Sequence, residues 1–371
     1  MATTKITNPE LFDLASLDTA LQLPSGTTAE RPTSPSTGEW RYNTTTNLVE
    51  YYDGGSWRDL QDEDLPPIPS ENFNTVLYDG TSATHAITGL GFQPDLVWIK
   101  DRGNGERHVL DDSSRGATKD LSSDLTNAEA TRPTSFLSFD SDGFTLGTDG
   151  GGIVNDSTRG PYVAWCWKAN GGTTSSNTDG SATSTVQANT KAGFSIVTFN
   201  HAIASTTYSY GHGLGVKPDI IILKMKSGAS NWFVYYSGFG ATKKLELNQT
   251  IAESSTGAWG SVEPTTSVFS VNNVNAGDWV SYCFAEKAGY SKFGTYTGNG
   301  STNGPIVNTG FEPAFVMIKR TDSADNWSIT DNKRATSNPR DESLFPNLSS
   351  TELTAGYSVN YLSNGFQIAT S

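Results

Sequence analysis

The residues of this chain that could do chemistry are four histidines, two cysteines and a few closely spaced carboxylates. His85, His108, His201 and His212 have no serine, cysteine or carboxylate recurring in register with them, so the sequence predicts no hydrolytic triad. Asp140-Ser-Asp142-Gly143 has the opening spacing of a calcium loop, but the glutamate that would close it with two oxygens is missing, which predicts a β-turn. Gly116-Ala-Thr-Lys119 lacks the spacing of a phosphate loop and returns as Gly240-Ala-Thr-Lys243, which predicts a structural turn used twice. Asp111-Asp112 gives way to Tyr236-Ser237 near the matching place. Cys166 and Cys283 each sit inside an aromatic run and read as small buried hydrophobes, with no disulfide between them. No catalytic residue, metal site or cofactor is expected.

What positions these residues is a threefold internal repeat. Gly89-Leu-Gly-Phe-Gln-Pro94-Asp-Leu-Val-Trp-Ile-Lys100 returns as Gly213-Leu-Gly-Val-Lys-Pro218-Asp-Ile-Ile-Ile-Leu-Lys224, and more loosely as Thr309-Gly-Phe-Glu-Pro313-Ala-Phe-Val-Met-Ile-Lys319. A repeat of this size separates scaffold from site before any short motif is weighed. Glu129, Glu253 and Glu352 stand in register downstream, as do Gly143-Phe144, Val268-Phe269 and Gly365-Phe366. Tyr162-Val-Ala-Trp-Cys-Trp-Lys168 then matches Trp279-Val-Ser-Tyr-Cys-Phe284, and the third copy has no counterpart before Ser371. The third repeat is therefore expected to lack its final strand, either as a shortened repeat or with a strand supplied from elsewhere.

The predicted fold is mostly β: three tandem β-sandwich-like repeats after a short N-terminal arm and a β-hairpin module. Short apolar runs divided by Gly, Asn, Ser and Thr clusters, without interposed helices, call for sandwiches. Residues 1–30 read as an attachment arm in which Leu11, Leu14, Leu17 and Leu21 recur at helical spacing after an Asn8-Pro9 start; they are the candidate contacts to a partner. Residues 31–60 read as two hairpins and 61–72 as a proline-rich linker. Repeat one is assigned to 73–170, a Gly/Ser/Thr-rich linker to 171–190, repeat two to 191–289 and repeat three to 290–371.

The chain of 371 residues carries a formal charge of −14 with no basic cluster, which speaks against nucleic acid and anionic membrane as partners. No apolar run is long enough to span a bilayer and the start lacks a signal-type core, so a soluble, unexported product is expected. Aromatics that the repeat does not require, Tyr208, Tyr210 and Trp259, are the candidate glycan-contact residues, because an exposed aromatic face suits a sugar's C–H surface.

Two stretches carry a family resemblance. Leu23-Pro-Ser-Gly through Gly38-Glu-Trp-Arg-Tyr-Asn43 to Glu50-Tyr-Tyr-Asp-Gly54 and Trp57 is similar to a module near the ends of phage tail-fibre and baseplate-associated proteins. The Gly-Phe-Gln-Pro-Asp-Leu-Val-Trp-Ile-Lys, Gly-Phe-Thr-Leu-Gly and Tyr-Val-Ala-Trp-Cys-Trp-Lys strings resemble a repeated domain of the same class of virion proteins, in particular those of marine and cyanobacterial phages. Copies two and three depart from these strings. The resemblance implies a non-enzymatic virion structural protein, a tail fibre or similar appendage and commonly a homotrimer. Its partners would be tail, adaptor or baseplate proteins on one side and host surface polysaccharide or receptor on the other. A lectin-like head decoration or whisker is the alternative, and a polysaccharide depolymerase comes last.

Overall fold

The structure is a computed structural model that describes residues 23–60 and 66–370. The chain divides into two compact units, 1–65 and 66–371. The predicted arm residues Leu11, Leu14, Leu17 and Leu21 lie outside the described residues, as do 61–65 of the predicted linker. Among the described residues there is no α-helix, and no helix long and apolar enough to cross a membrane. The mostly-β expectation holds.

The first unit is a four-stranded sheet of β1 (Ser25–Gly26), β2 (Trp40–Asn43), β3 (Leu48–Tyr52) and β4 (Trp57–Leu60), in that order. The two predicted hairpins join β2 to β3 and β3 to β4. Its faces are inverted relative to an ordinary half-buried sheet. Arg41, Asn43 and Glu50 are buried, whereas Trp40 and Tyr42 are 44% and 36% exposed. Glu50 tolerates burial because Arg31, Arg41 and Asn43 all donate to it. The hydrogen bonds from Arg31 hold its carboxyl below the ordinary range, against the opposing effect of burial.

In the second unit, repeat one comprises β5 (Phe73–Tyr78), β6 (His85–Thr88), β7 (Leu96–Asp101), β8 (Val109–Asp112), β9 (Lys119–Leu121), β10 (Ala130–Thr131), β11 (Phe136–Asp140), β12 (Gly143–Leu146) and β13 (Tyr162–Trp167). They form a sheet ordered β10-β9-β8-β7-β13-β5 facing a smaller one, β11-β12-β6. Val97, Ile99, Phe144 and Cys166 fill the space between the two. Gly143 has to be glycine, since a Cβ there would stand 1.8 Å from the Ile87 carbonyl oxygen; Gly365 meets the Val307 oxygen at 2.0 Å in the same way.

Repeat two comprises β14 (Ser175–Asn177), β15 (Ser184–Asn189), β16 (Phe194–His201), β17 (Tyr208–Gly211), β18 (Ile220–Met225), β19 (Phe233–Tyr236), β20 (Lys243–Glu246), β21 (Ser254–Ser255), β22 (Val268–Val271) and β23 (Gly277–Phe284). Its large sheet runs β21-β20-β19-β18-β23-β16-β15-β14, which is the order of repeat one with two strands added at the edge. Those two strands correct the expected linker over 171–190. The segment is polar because it forms an edge, and Gln187 is fully buried against Ser113, Ser114 and the Asn170 and Gly172 amides. The other expected linker is also shorter than predicted. Pro67 is buried, and the Asn72 carbonyl accepts from the Lys168 amide, so this stretch belongs to the second unit.

Repeat three comprises β24 (Ile306–Asn308), β25 (Phe315–Lys319), β26 (Trp327–Asp331), β27 (Arg340–Ser343), β28 (Leu353–Leu362) and β29 (Gly365–Ile368). Its pairings β24-β29-β28 and β25-β26 repeat β6-β12-β11 and β7-β8. Among the described residues strand β25 has one ladder partner, whereas β7 and β18 each have two.

The repeats do not follow one another as separate beads; they close on each other. One apolar core draws Trp98 and Trp165 from repeat one, Trp232 and Tyr282 from repeat two, and Trp327 and Ile329 from repeat three. At equivalent positions Glu129 N donates to Lys226 O (2.9 Å), Glu253 N to Thr321 O (2.8 Å) and Glu352 N to Arg102 O (2.9 Å). Each repeat thus holds the next, and the last holds the first. A strand buried on both faces should read as a continuous apolar run, as Leu96-Val-Trp-Ile99 and Ile220-Ile-Ile-Leu223 do.

Candidate functional site

The seams between repeats collect the buried polar chemistry of the second unit. The conserved-register lysine of each strand reaches across its seam: Lys100 Nζ to Ser349 O (3.2 Å), Lys224 Nζ to Thr126 O (3.1 Å) and Lys319 Nζ to Thr250 O (3.1 Å). Burial lowers the first two ammonium groups to about 8 and lowers Lys319 as well. One turn away, His108 Nε2 bonds Phe345 O, Trp232 Nε1 donates to Ser122 O, and Trp327 Nε1 donates to Glu246 O. His108, Trp232 and Trp327 are the same position in three copies.

Two seams share a further ion cluster. In repeat one, Asp112 accepts from Arg115 Nε (2.5 Å) and from the Tyr282 hydroxyl of repeat two (2.7 Å), while Arg115 also bonds Glu129 (3.1 Å). In repeat three, Asp331 accepts from Arg334 Nε (2.5 Å) and from Trp165 Nε1 of repeat one (3.0 Å), while Arg334 also bonds Glu352 (2.8 Å). Burial pushes the Asp331 carboxyl up; the Arg334 charge and its hydrogen bonds outweigh this and hold it below the ordinary range. Repeat two has Tyr236 and Phe239 in these places. There the cluster gives way to a groove of about 1380 Å³ lined by Tyr236, Phe239, Phe284 and Phe315.

Residues 68–371 match the model of a family described as a domain of unknown function, DUF7483. The chain belongs to that family. No curated protein and no solved structure matches it. The matched region covers the closed ring of repeats and begins after the first unit.

The residues singled out from sequence now have places. Tyr210 and Trp259 are 0% and 1% exposed, which corrects their reading as a glycan platform. Tyr210 stacks on Phe199 at 3.8 Å, and Trp259 lies edge-on to Tyr235 with its Nε1 donating to Lys243 O. Tyr208 is half-buried beside His201. All three fall between the matched strings, where the repeat says nothing of burial. In fact β17 is the counterpart of β6, and the loop bearing Trp259 folds under the sandwich.

His201 pairs with the Tyr210 hydroxyl and His212 with Thr265 O, both with pKa lowered by burial. His85 packs edge-on to Tyr78. His108 accepts from Trp98 Nε1 at Nδ1, and burial with the nearby Lys100 charge keeps it neutral. Asp142 accepts from the Gly89 and Gly91 amides and Asp140 from Ser138 and Thr145, the work of a turn. Among the described residues no group of three metal-ligating side chains comes together. The Cys166 and Cys283 thiols are free and buried in equivalent strands, and burial pushes Cys283 up to about 12.

The sequence reading missed two features. One is the seam cluster, whose signal was present as Asp112-x-x-Arg115 and Asp331-x-x-Arg334 with Glu129 and Glu352 in register. The other is the exposed aromatic face of the first unit, where Trp40 stacks on Tyr51 at 5.4 Å. Alternation marks these strands but does not say which of their faces is covered.

Proposed function

We propose that this chain is a virion structural protein of a tailed bacteriophage, a tail fibre or similar appendage without enzymatic activity. The N-terminal region anchors it to tail, adaptor or baseplate proteins, and the ring of repeats forms a rigid body for host-surface contact or stiffening. The observation that supports this most is the closed cycle of seams, in which buried charges and tryptophans join three sandwiches into one block, in a chain that also carries a separate small module. A stiff block carried in several copies can use weak surface contacts, because many copies raise effective concentration. Deleting residues 1–22, which leaves the described sheet of the first unit whole, is expected to abolish incorporation into particles while the purified protein keeps its unfolding midpoint. Normal incorporation of the truncated chain would refute the anchoring role.

A glycan-binding head decoration or whisker is the second reading, and the exposed Trp40–Tyr51 stack favours it. Under that reading Trp40→Ala weakens binding to host envelope polysaccharide at least tenfold without changing incorporation. Equal binding by the variant in a glycan-binding assay would remove this face from contention.

A further inference from the structure

A carboxyl group stands inside the sandwich of repeat one with no group bonded to it. On β8 the side chains alternate: Leu110 joins the common core, so Asp111 faces the other way, into the space between the two sheets that Val97, Val109 and Phe136 share. Asp111 is 1% exposed, and among the described residues neither of its oxygens has a hydrogen-bond partner. Directly opposite it on β9 is Asp120, also buried, whose Oδ1 is likewise unpartnered. Residues paired in this way project from the same face with Cβ atoms about 5 Å apart, and like charges placed there repel. Asp120 is the charged member of the pair, since Arg107 Nη2 and Arg132 Nε both donate to its Oδ2 at 2.9 Å.

The equivalent positions show what this point of the interior holds. In repeat two the residue is Tyr235, whose hydroxyl donates to the Glu263 carboxylate (2.6 Å); in repeat three it is Thr330, whose hydroxyl meets that of Tyr361 (3.1 Å). Both copies place an O–H group here, and in repeat two it points at a carboxylate. The local charges ask for the same in repeat one. Asp111, Asp112, Asp120 and Glu129 stand among Arg107, Arg115 and Arg132, so a single proton on Asp111 brings the cluster to neutrality. We propose that Asp111 is a neutral carboxylic acid in the folded protein, that its proton is directed to Asp120 Oδ1, and that loss of this proton loosens the seam between repeats one and two.

Burial pushes the Asp111 carboxyl far above the ordinary range, and the charges of Asp120 and Asp112 push the same way. Arg115 opposes them, but its guanidinium is engaged by Asp112 and Glu129; Arg107 contributes least, and β7 sets the apolar Val97 against the group. Ionisation would place two carboxylates opposite each other at the edge of the large sheet. Asp120 pairs with Ala130 of β10, and the residue before it, Glu129, bonds both Arg115 and the Lys226 carbonyl of repeat two. Repulsion at Asp111 is thereby delivered to the first seam. A carboxyl raised by folding binds its proton more tightly in the folded state. Its contribution to stability is therefore complete below the ordinary aspartate range and is lost as pH rises through the raised value. This inference stands on the second unit alone and does not depend on the virion reading.

The test compares the full wild-type chain with Asp111→Asn, whose amide has the shape of the neutral acid and keeps a donor for Asp120. Between about pH 5 and about pH 8 the wild-type folding constant, from urea unfolding, is expected to fall at least about tenfold further than that of the variant. Infrared difference spectra of the two proteins at neutral pH are expected to show the C=O band of a protonated carboxyl in the wild type. Hydrogen exchange over residues 129–131 should be faster in the wild type than in the variant at about pH 8, and equal at about pH 5. Equal pH slopes in the two proteins, or a carboxylate band alone in the difference spectrum, would overturn the proposal. So would a gain in wild-type stability on adding sodium or calcium that the variant lacks, since a metal ion would then hold the pair. If Asp111→Asn does not fold, Asp111→Thr, which copies repeat three, is measured with the same expectations.

Discussion

Trp232→Ala is expected to destabilise the second unit by about 3–5 kcal/mol, read from the urea midpoint of tryptophan fluorescence and circular dichroism. The side chain is fully buried in the common core, so truncation leaves a cavity that three sheets, each fixed by its own ladders, cannot collapse to fill. It also strands two acceptors, since Trp232 Nε1 donates to Ser122 O and Leu125 O of repeat one. Trp232→Phe keeps most of the apolar volume and loses only the donor, so a smaller loss of about 1–3 kcal/mol is expected. In both variants all three repeats should still unfold in one transition, because the core that holds Trp232 is shared. Separate transitions for the repeats, or a loss under about 1 kcal/mol for the alanine variant, would mean that the seams do not couple the sandwiches.

Arg334→Ala carries the second large effect, about 3–5 kcal/mol at neutral pH. Its guanidinium is wholly buried and holds Asp331, Glu352 and the Ile329 carbonyl together. Removing it leaves Asp331 charged in the interior, with the Trp165 N–H as its remaining side-chain donor. Glu352 retains Arg102 across the seam, so the loss centres on Asp331. A double-mutant cycle with Asp331→Asn isolates the pair. The neutral amide no longer needs the arginine, and a coupling of about 1–3 kcal/mol is expected. Simple additivity of the two single losses would contradict the ion-pair account. Repeat two supplies a natural control, since Tyr236 and Phe239 stand at the same two positions and close that side with apolar contact and an open groove.

The position of that groove follows from the same pattern. Three positions of the repeat differ together around this groove: Asp95 and Asp219 are matched by Ala314, Asp112 and Asp331 by Tyr236, and Arg115 and Arg334 by Phe239. Two of these lie in repeat two and one in repeat three, yet all line the same groove. Read along the chain they are unrelated substitutions. Read around the ring, they border one groove.

The sequence by itself determined the strands and their repetition, because alternation of side chains and the turn residues between strands are local properties of a ladder. It also placed Trp165, Trp167, Tyr282 and Phe284 in matching strands. Only the tertiary structure decided which faces are covered. Tyr210 and Trp259 are interior, Trp40 and Tyr42 are exposed, and residues 175–189 form a sheet edge instead of a linker. The physical reason is that a strand's pattern records how its two faces differ and not what lies against them. Burial of the outer face of each large sheet comes from the other two repeats, through contacts such as Trp165 to Asp331 that join residues far apart in the chain.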